Sequence, residues 1–267
     1  MPIGPAKMSL FEHLAELRMR LVRIVVCMLI AIVIFYLASP TMGQILLYPI
    51  GDFLPLGENG QVMLNALDPF ESFTTRLTIT LFYSFIGTSP VILWQVLAFF
   101  LPALKPNERK WFVPTFIVAC TLFIFGVLFC YFVILNAAFG WLTDQASGLG
   151  TIEPRMSTYI SIIIKFLISF GFAFEIPLVV FYLVIFSIVP YKTLRGKWRE
   201  IYVVLLVICA MVTPDSSPIT MLMMFAALIA LYEISLLVAK IVLKRRIARD
   251  EEEMDELEEG SMSITKK

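Results

Sequence analysis

The sequence predicts an all-α, polytopic membrane protein: six transmembrane helices, with both ends of the chain in the cytoplasm. Three observations predict it. Of the 267 residues, 59% are hydrophobic and the mean hydropathy is +0.87, whereas a soluble domain is nearer half apolar. Five apolar stretches, 21–38, 77–104, 112–135, 158–189 and 219–239, reach or approach the ~20 residues that cross a bilayer, and a sixth, 201–212, is shorter. A membrane β-barrel would show alternating segments of about ten residues instead. Lastly, the cations are one-sided. Eighteen of the 21 Lys and Arg fall in 1–23, 105–110, 192–199 and 240–267, and the three would-be outer loops hold only Arg155. That is the asymmetry of the positive-inside rule.

The chain opens on "SLFEHLAELRMRL" (9–21), a helix start with Leu10, Leu14, Leu17 and Leu21 on one stripe. Ser9 and Glu12 have the spacing of a capping box. Glu16 then has two readings. It pairs with Arg20 at i,i+4, worth a few tenths of a kcal/mol, or it is a cytoplasmic carboxylate awaiting a cationic ligand. The pairing is the simpler. Spans are placed at about 20–38, 75–102, 112–136, 157–189, 199–212 and 219–240, making 1–240 one membrane domain and 241–267 a charged cytoplasmic tail. The outer loop 39–71 carries four prolines, the outer loop 137–157 carries Gly140, Gly148, Gly150 and Pro154, and both have room for short surface helices.

The inner loop "FFLPALKPNERKW" (99–111) is stiffened by Pro102 and Pro106 and has one acid, Glu108. Glu108 either balances Arg109 and Lys110 or is a second acceptor on the face that holds Glu16. Two such carboxylates could each take a guanidinium as a fork. In "FGFAFEIPLVV" (170–180) Glu175 sits among apolar residues and one glycine. A charge at that depth costs about 2.5–3.5 kcal/mol on insertion scales, so Glu175 is neutral or faces a cavity or partner. Pro177 frees the carbonyl of Ala173 and kinks the helix. Gln95 and Glu233 are further embedded polar groups, for which interhelical hydrogen bonds suffice.

The stretch 201–212 would rise only about 18 Å as a helix. "TPDSSP" (213–218) forbids a continuous helix to 239, and if 201–212 did not cross, the C-terminal cations would lie outside. Two short paired crossings, with the bilayer thinned around them, satisfy both facts; a re-entrant hairpin is the alternative. Asp215 in that turn caps the next helix or bonds turn amides, or it serves coupling to a partner. The tail segment 249–260 has eight carboxylates in twelve residues and reads as solvated.

No enzyme signature is present. His13 is the only histidine, which excludes paired-histidine metal sites, and there is no phosphate-binding G-x-x-x-x-G-K-[ST] loop. No cofactor and no nucleic acid are expected. All four cysteines sit in spans, so no disulfide is expected either. Function must rest on recognition and passage.

The stretches "HLAELRMRL", "SPVILWQVLAFFLPALKPNERK", "YFVILNAAFGWL", "FGFAFEIPLVV" and "VTPDSSPITMLMM" resemble, in that order, the TatC family, the multi-spanning receptor of twin-arginine protein translocation. The resemblance runs from about residue 9 to 240. It implies a glove-shaped bundle of six helices and recognition of signal peptides carrying two consecutive arginines on folded cargo. It places Glu16 and Glu108 on the family's arginine-binding glutamates, Arg18, Phe99 and Pro102 on other motif positions, and Glu175 on an acid lining the hollow of the glove. It implies partners of TatA and TatB type, self-association in the receptor complex, the protonmotive force as drive, and a bacterial inner membrane. The "KPN" triplet (105–107) departs from the family pattern. The competing reading is a small-solute carrier with Glu175, Lys165 and Gln95 lining its path.

Overall fold

The computed structural model describes residues 10–55, 64–100, 112–146, 154–185, 189–214 and 217–242. These residues are helical almost throughout, with one isolated parallel bridge, Asn65 to Arg155. Five helical runs are long and apolar enough to cross a membrane: Phe11–Phe53, Pro69–Phe99, Phe112–Ala146, Met156–Val184 and Pro218–Ile241. The chain divides at Gly171 into two compact units.

The first unit is built on α1 (Leu10–Leu47) and α2 (Pro69–Phe100), which lie along each other. Contrary to the sequence expectation, α1 does not end before Pro40; it runs on to Leu47 and into a 3-10 turn, Tyr48–Phe53. The reason is local. Proline at 40 removes the donor that Tyr36 C=O would use. The Ser39 hydroxyl donates to that carbonyl at 2.8 Å, and Arg76 of α2 donates to it at 3.2 Å. Arg76 Nε also donates to Ser39 Oγ at 2.6 Å, and its guanidinium lies 4.5 Å from the Tyr36 ring centre. The same device recurs in α2, where Pro90 strips Ile86 C=O and the Ser89 hydroxyl replaces the lost donor at 2.7 Å. A serine just before each proline thus keeps a helix running through it.

Helix α2 starts on its cap. Asp68 Oδ1 accepts from Phe70 N at 2.9 Å, and Pro69 fills the first helical position. Glu71, three residues after the cap, accepts from Leu67 N at 2.9 Å. Its other oxygen accepts from Ser157 N at 3.0 Å and Arg155 Nε at 3.1 Å. One carboxylate therefore serves the N-termini of α2 and of α5 (Met156–Ala173) together. The bridge completes the stitch, Asn65 N to Pro154 O at 2.9 Å and Met156 N to Asn65 O at 3.0 Å.

Helix α3 (Phe112–Phe129) continues through a π turn, Cys130–Ile134, into α4 (Leu135–Ala146). The π turn sets Tyr131 to donate to Ile45 O in the last turn of α1, at 2.5 Å. Trp94 of α2 meets Phe112 and Phe116 edge-on at 5.0 and 4.9 Å. Helix α5 comes close to α3 at Gly171, where a Cβ would stand 2.8 Å from Phe123 Cε2.

The second unit holds α6 (Ile176–Ile185), α7 (Tyr191–Gly196), α8 (Trp198–Val212) and α9 (Pro218–Val242). Its buried centre is Leu205, Tyr232 and Leu236. Helix α8 is 15 residues long, about 22 Å by rise. Ser217 caps α9, accepting at its hydroxyl from Thr220 N at 3.5 Å, with Pro218 first in the helix. Glu233 of α9 takes Arg195 of α7 at 2.6 Å and the Tyr202 hydroxyl of α8 at 2.7 Å, an interhelical tie that uses both carboxylate oxygens.

Candidate functional site

The start of α1 and the end of α2 lie side by side, and the polar groups of both converge there. Glu16 is half-buried, its side chain 21% exposed. Arg20, one turn on, reaches its Oε1 with both Nε, at 3.1 Å, and Nη2. Arg20 also crosses to α2. Nη1 donates to Gln95 Oε1 at 3.2 Å and Nη2 to Ala98 O at 3.1 Å. That carbonyl belongs to the last turn of α2, where helix carbonyls have no amide partner. The i,i+4 pairing read from the sequence is present, but Arg20 is doing more than balancing Glu16: it pins α1 to α2.

This anchoring leaves the carboxylate unevenly used. Glu16 Oε2 is buried and has no hydrogen-bond partner among the described residues. Its neighbour is His13 Nδ1 at 3.7 Å, and the His13 ring stacks on Phe99 with centroids 4.2 Å apart and planes at 16°. A buried polar atom left open is uncommon and calls for a reason. Arg18 is exposed on the same stretch of α1. Of the remaining residues expected at this site, Glu108 and Pro102 lie outside the described residues, as do Ser9 of the expected capping box and Asp215 of the turn.

Glu175 lies in the second unit, where the helical run is interrupted at Phe174–Glu175 before Pro177. Glu175 N donates to Phe172 O at 3.1 Å, a three-residue step, and Val179 N resumes the helix by donating to Glu175 O at 3.1 Å. The side chain is half-buried with Oε1 unpartnered among the described residues.

Gln95, expected to be embedded or cavity-lining, spends its carbonyl oxygen on Arg20 five residues before the end of α2. Lys165 is exposed on α5. Neither arrangement favours the carrier reading. The sequence reading also passed over Glu71, although "DPFE" (68–71) carries the cap-plus-three-residues signal that finds it. It had no signal for the 78-residue separation of Arg20 from Ala98. Among the described residues no cluster of His, Cys, Asp and Glu could hold a metal ion.

Helices built for a bilayer define a multi-pass membrane protein. The family described as "Sec-independent protein translocase protein (TatC)" matches residues 12–226. A protein of that description from Carboxydothermus hydrogenoformans is 32% identical over 235 residues, covering 88% of this chain and 94% of the relative. One from Aquifex aeolicus is 34% identical over 241 residues, covering 90% and 98%. A crystal structure described as the twin arginine translocase receptor TatC superposes with a TM-score of 0.69 at 34% identity, covering 86% of this chain and 98% of that one. The chain belongs to the TatC family.

Proposed function

We propose that the chain is the receptor subunit of a twin-arginine translocase, which binds signal peptides bearing paired arginines and moves their folded cargo on the protonmotive force. The observation that carries this reading is the half-used carboxylate of Glu16. Oε1 is fixed by Arg20 and Oε2 is open, beside Phe99 at the end of α2. The chain that follows Phe99 contains Pro102 and Glu108, the proposed second acceptor. In this reading both termini are cytoplasmic, Glu16 and Glu108 each take one guanidinium, and Arg18, Phe99 and Pro102 shape the docking surface. Glu175 serves passage rather than docking, by drawing water or a partner's polar group to an interrupted helix. Asp215 acts in the turn between α8 and α9. The partners are single-span TatA- and TatB-type proteins and further copies of the chain, in a bacterial inner membrane.

The test is crosslinking of a twin-arginine signal peptide to the protein in membranes. Replacing both peptide arginines with lysine weakens it sharply, because an ammonium cannot reproduce the planar fork of a guanidinium. Equal crosslinking of both peptides refutes the receptor reading.

A further inference from the structure

His13 is the only histidine of the chain, and it stands at the one oxygen of Glu16 that Arg20 leaves open. Nδ1 is 3.7 Å from Oε2, too long for a hydrogen bond. The ring is held in place by Phe99, stacked face to face at 4.2 Å. Arg20 spends its donors on Glu16 Oε1, Gln95 and the carbonyl of Ala98. Among the described residues, the polar group nearest the open side of Oε2 is His13.

The geometry points to His13 as a positioning residue whose protonation state opens or closes Glu16 to an incoming arginine. The inference rests on the reading of Glu16 as the acceptor for a signal-peptide guanidinium. A neutral imidazole leaves the lone pairs of Oε2 available and carries no charge. A protonated imidazole donates from Nδ1 to Oε2 after a shift of under about 1 Å and sets a positive charge where the guanidinium must come. Protonation therefore competes with the ligand, and affinity falls as pH falls. Among the described residues, the charged groups near His13 on α1 are Glu12 immediately before it, Glu16 and Arg20; α2 brings Gln95 and Phe99, neither of which titrates. The stack adds a second role, since Phe99 fixes the ring so that proton uptake changes charge at Oε2 with little movement.

The test uses the full-length protein in lipid nanodiscs and a fluorescent twin-arginine peptide that has no histidine and no side-chain carboxylate. Its affinity is read by anisotropy at several pH values. Between pH ~7.5 and ~5.5 the wild type loses affinity several-fold, because a protonated imidazole occupies Oε2 and excludes the guanidinium. His13→Phe keeps a ring on Phe99 and takes up no proton, so its affinity stays at the wild-type high-pH level throughout. His13→Gln lacks the ring and is also independent of pH. A flat wild-type profile, or an undiminished pH slope in His13→Phe and His13→Gln, overturns the role of His13. Glu16→Gln separates this from the reading beneath it. Peptide binding by Glu16→Gln equal to wild type at pH ~7.5 overturns the assignment of Glu16 itself. Loss of binding there, with a flat wild-type profile, overturns only the gate.

Discussion

Adding one methyl group at Gly171 sets two effects of known sign against each other. Glycine inside a helix costs about 0.5–1 kcal/mol relative to alanine, so Gly171→Ala gains that much from the backbone. Against it, the new Cβ stands 2.8 Å from Phe123 Cε2, 3.1 Å from Phe123 Cζ and 3.1 Å from Val127 Cγ2. Phe123 is 2% exposed and packs edge-on against Phe85 at 6.1 Å, so a shift of the ring disturbs buried packing. Overpacking of this kind costs about 1–3 kcal/mol. The clash wins, and the net destabilisation is of the order of 1 kcal/mol. Gly196 is the internal control, because a Cβ there meets nothing within 4 Å, and Gly196→Ala is neutral or mildly stabilising. The assay is thermal unfolding of the purified variants in nanodiscs, followed by intrinsic fluorescence. Gly171→Ala melts below wild type and Gly196→Ala does not. A melting temperature for Gly171→Ala at or above that of wild type refutes the claim that α5 and α3 are in contact through the glycine.

Two further outcomes follow from the same geometry. Ser89→Ala leaves the carbonyl of Ile86 without its donor at a position 3% exposed, which costs about 1–3 kcal/mol; Ser89→Thr keeps the hydroxyl and recovers most of it, measured by the same melts. Glu175→Ala leaves peptide affinity at the wild-type value while transport of a folded reporter into inverted vesicles falls several-fold; a parallel loss of both refutes the division between docking and passage.

How much was legible follows from the range of each interaction. The five long helices show in hydropathy because burial in lipid is summed over twenty or so residues, which no local detail overrides. The helix ends show less well. Pro40 reads as a boundary because a proline removes a backbone donor, yet Ser39 and Arg76 supply two replacements. One of these is a neighbour in sequence and could be read; the other is 40 residues away in α2 and could not. The π turn at Cys130–Ile134 has no residue pattern of its own, so the sequence leaves room for a short helix after the span without showing that the helical run continues unbroken to Ala146. At the site, the i,i+4 pair of Glu16 and Arg20 is written in the spacing. The anchoring of Arg20 by Gln95, 75 residues on, is tertiary, and it is what converts a surface pair into a fixed one.

The carboxylates of the described helices sort by how far their oxygens are used. Glu71 accepts from Leu67 and Ser157 amides and from Arg155, with both oxygens engaged. Glu233 gives one oxygen to Arg195 and the other to Tyr202. Such groups gain their stability inside the fold, and nothing remains for a ligand to offer them. Glu16 and Glu175 each keep a buried oxygen without a partner. A fold that satisfies nearly every buried polar atom bears the cost of an open one, about 1–3 kcal/mol, where some other state of the protein repays it. For Glu16 the proposed state is the bound one, in which a guanidinium would bring a donor to Oε2. At Glu175 the helix is already interrupted, so a polar partner can reach the carboxyl without breaking a continuous ladder. The same accounting that makes Glu71 and Glu233 structural leaves Glu16 and Glu175 as the carboxylates on which the proposed recognition and passage are to be tested.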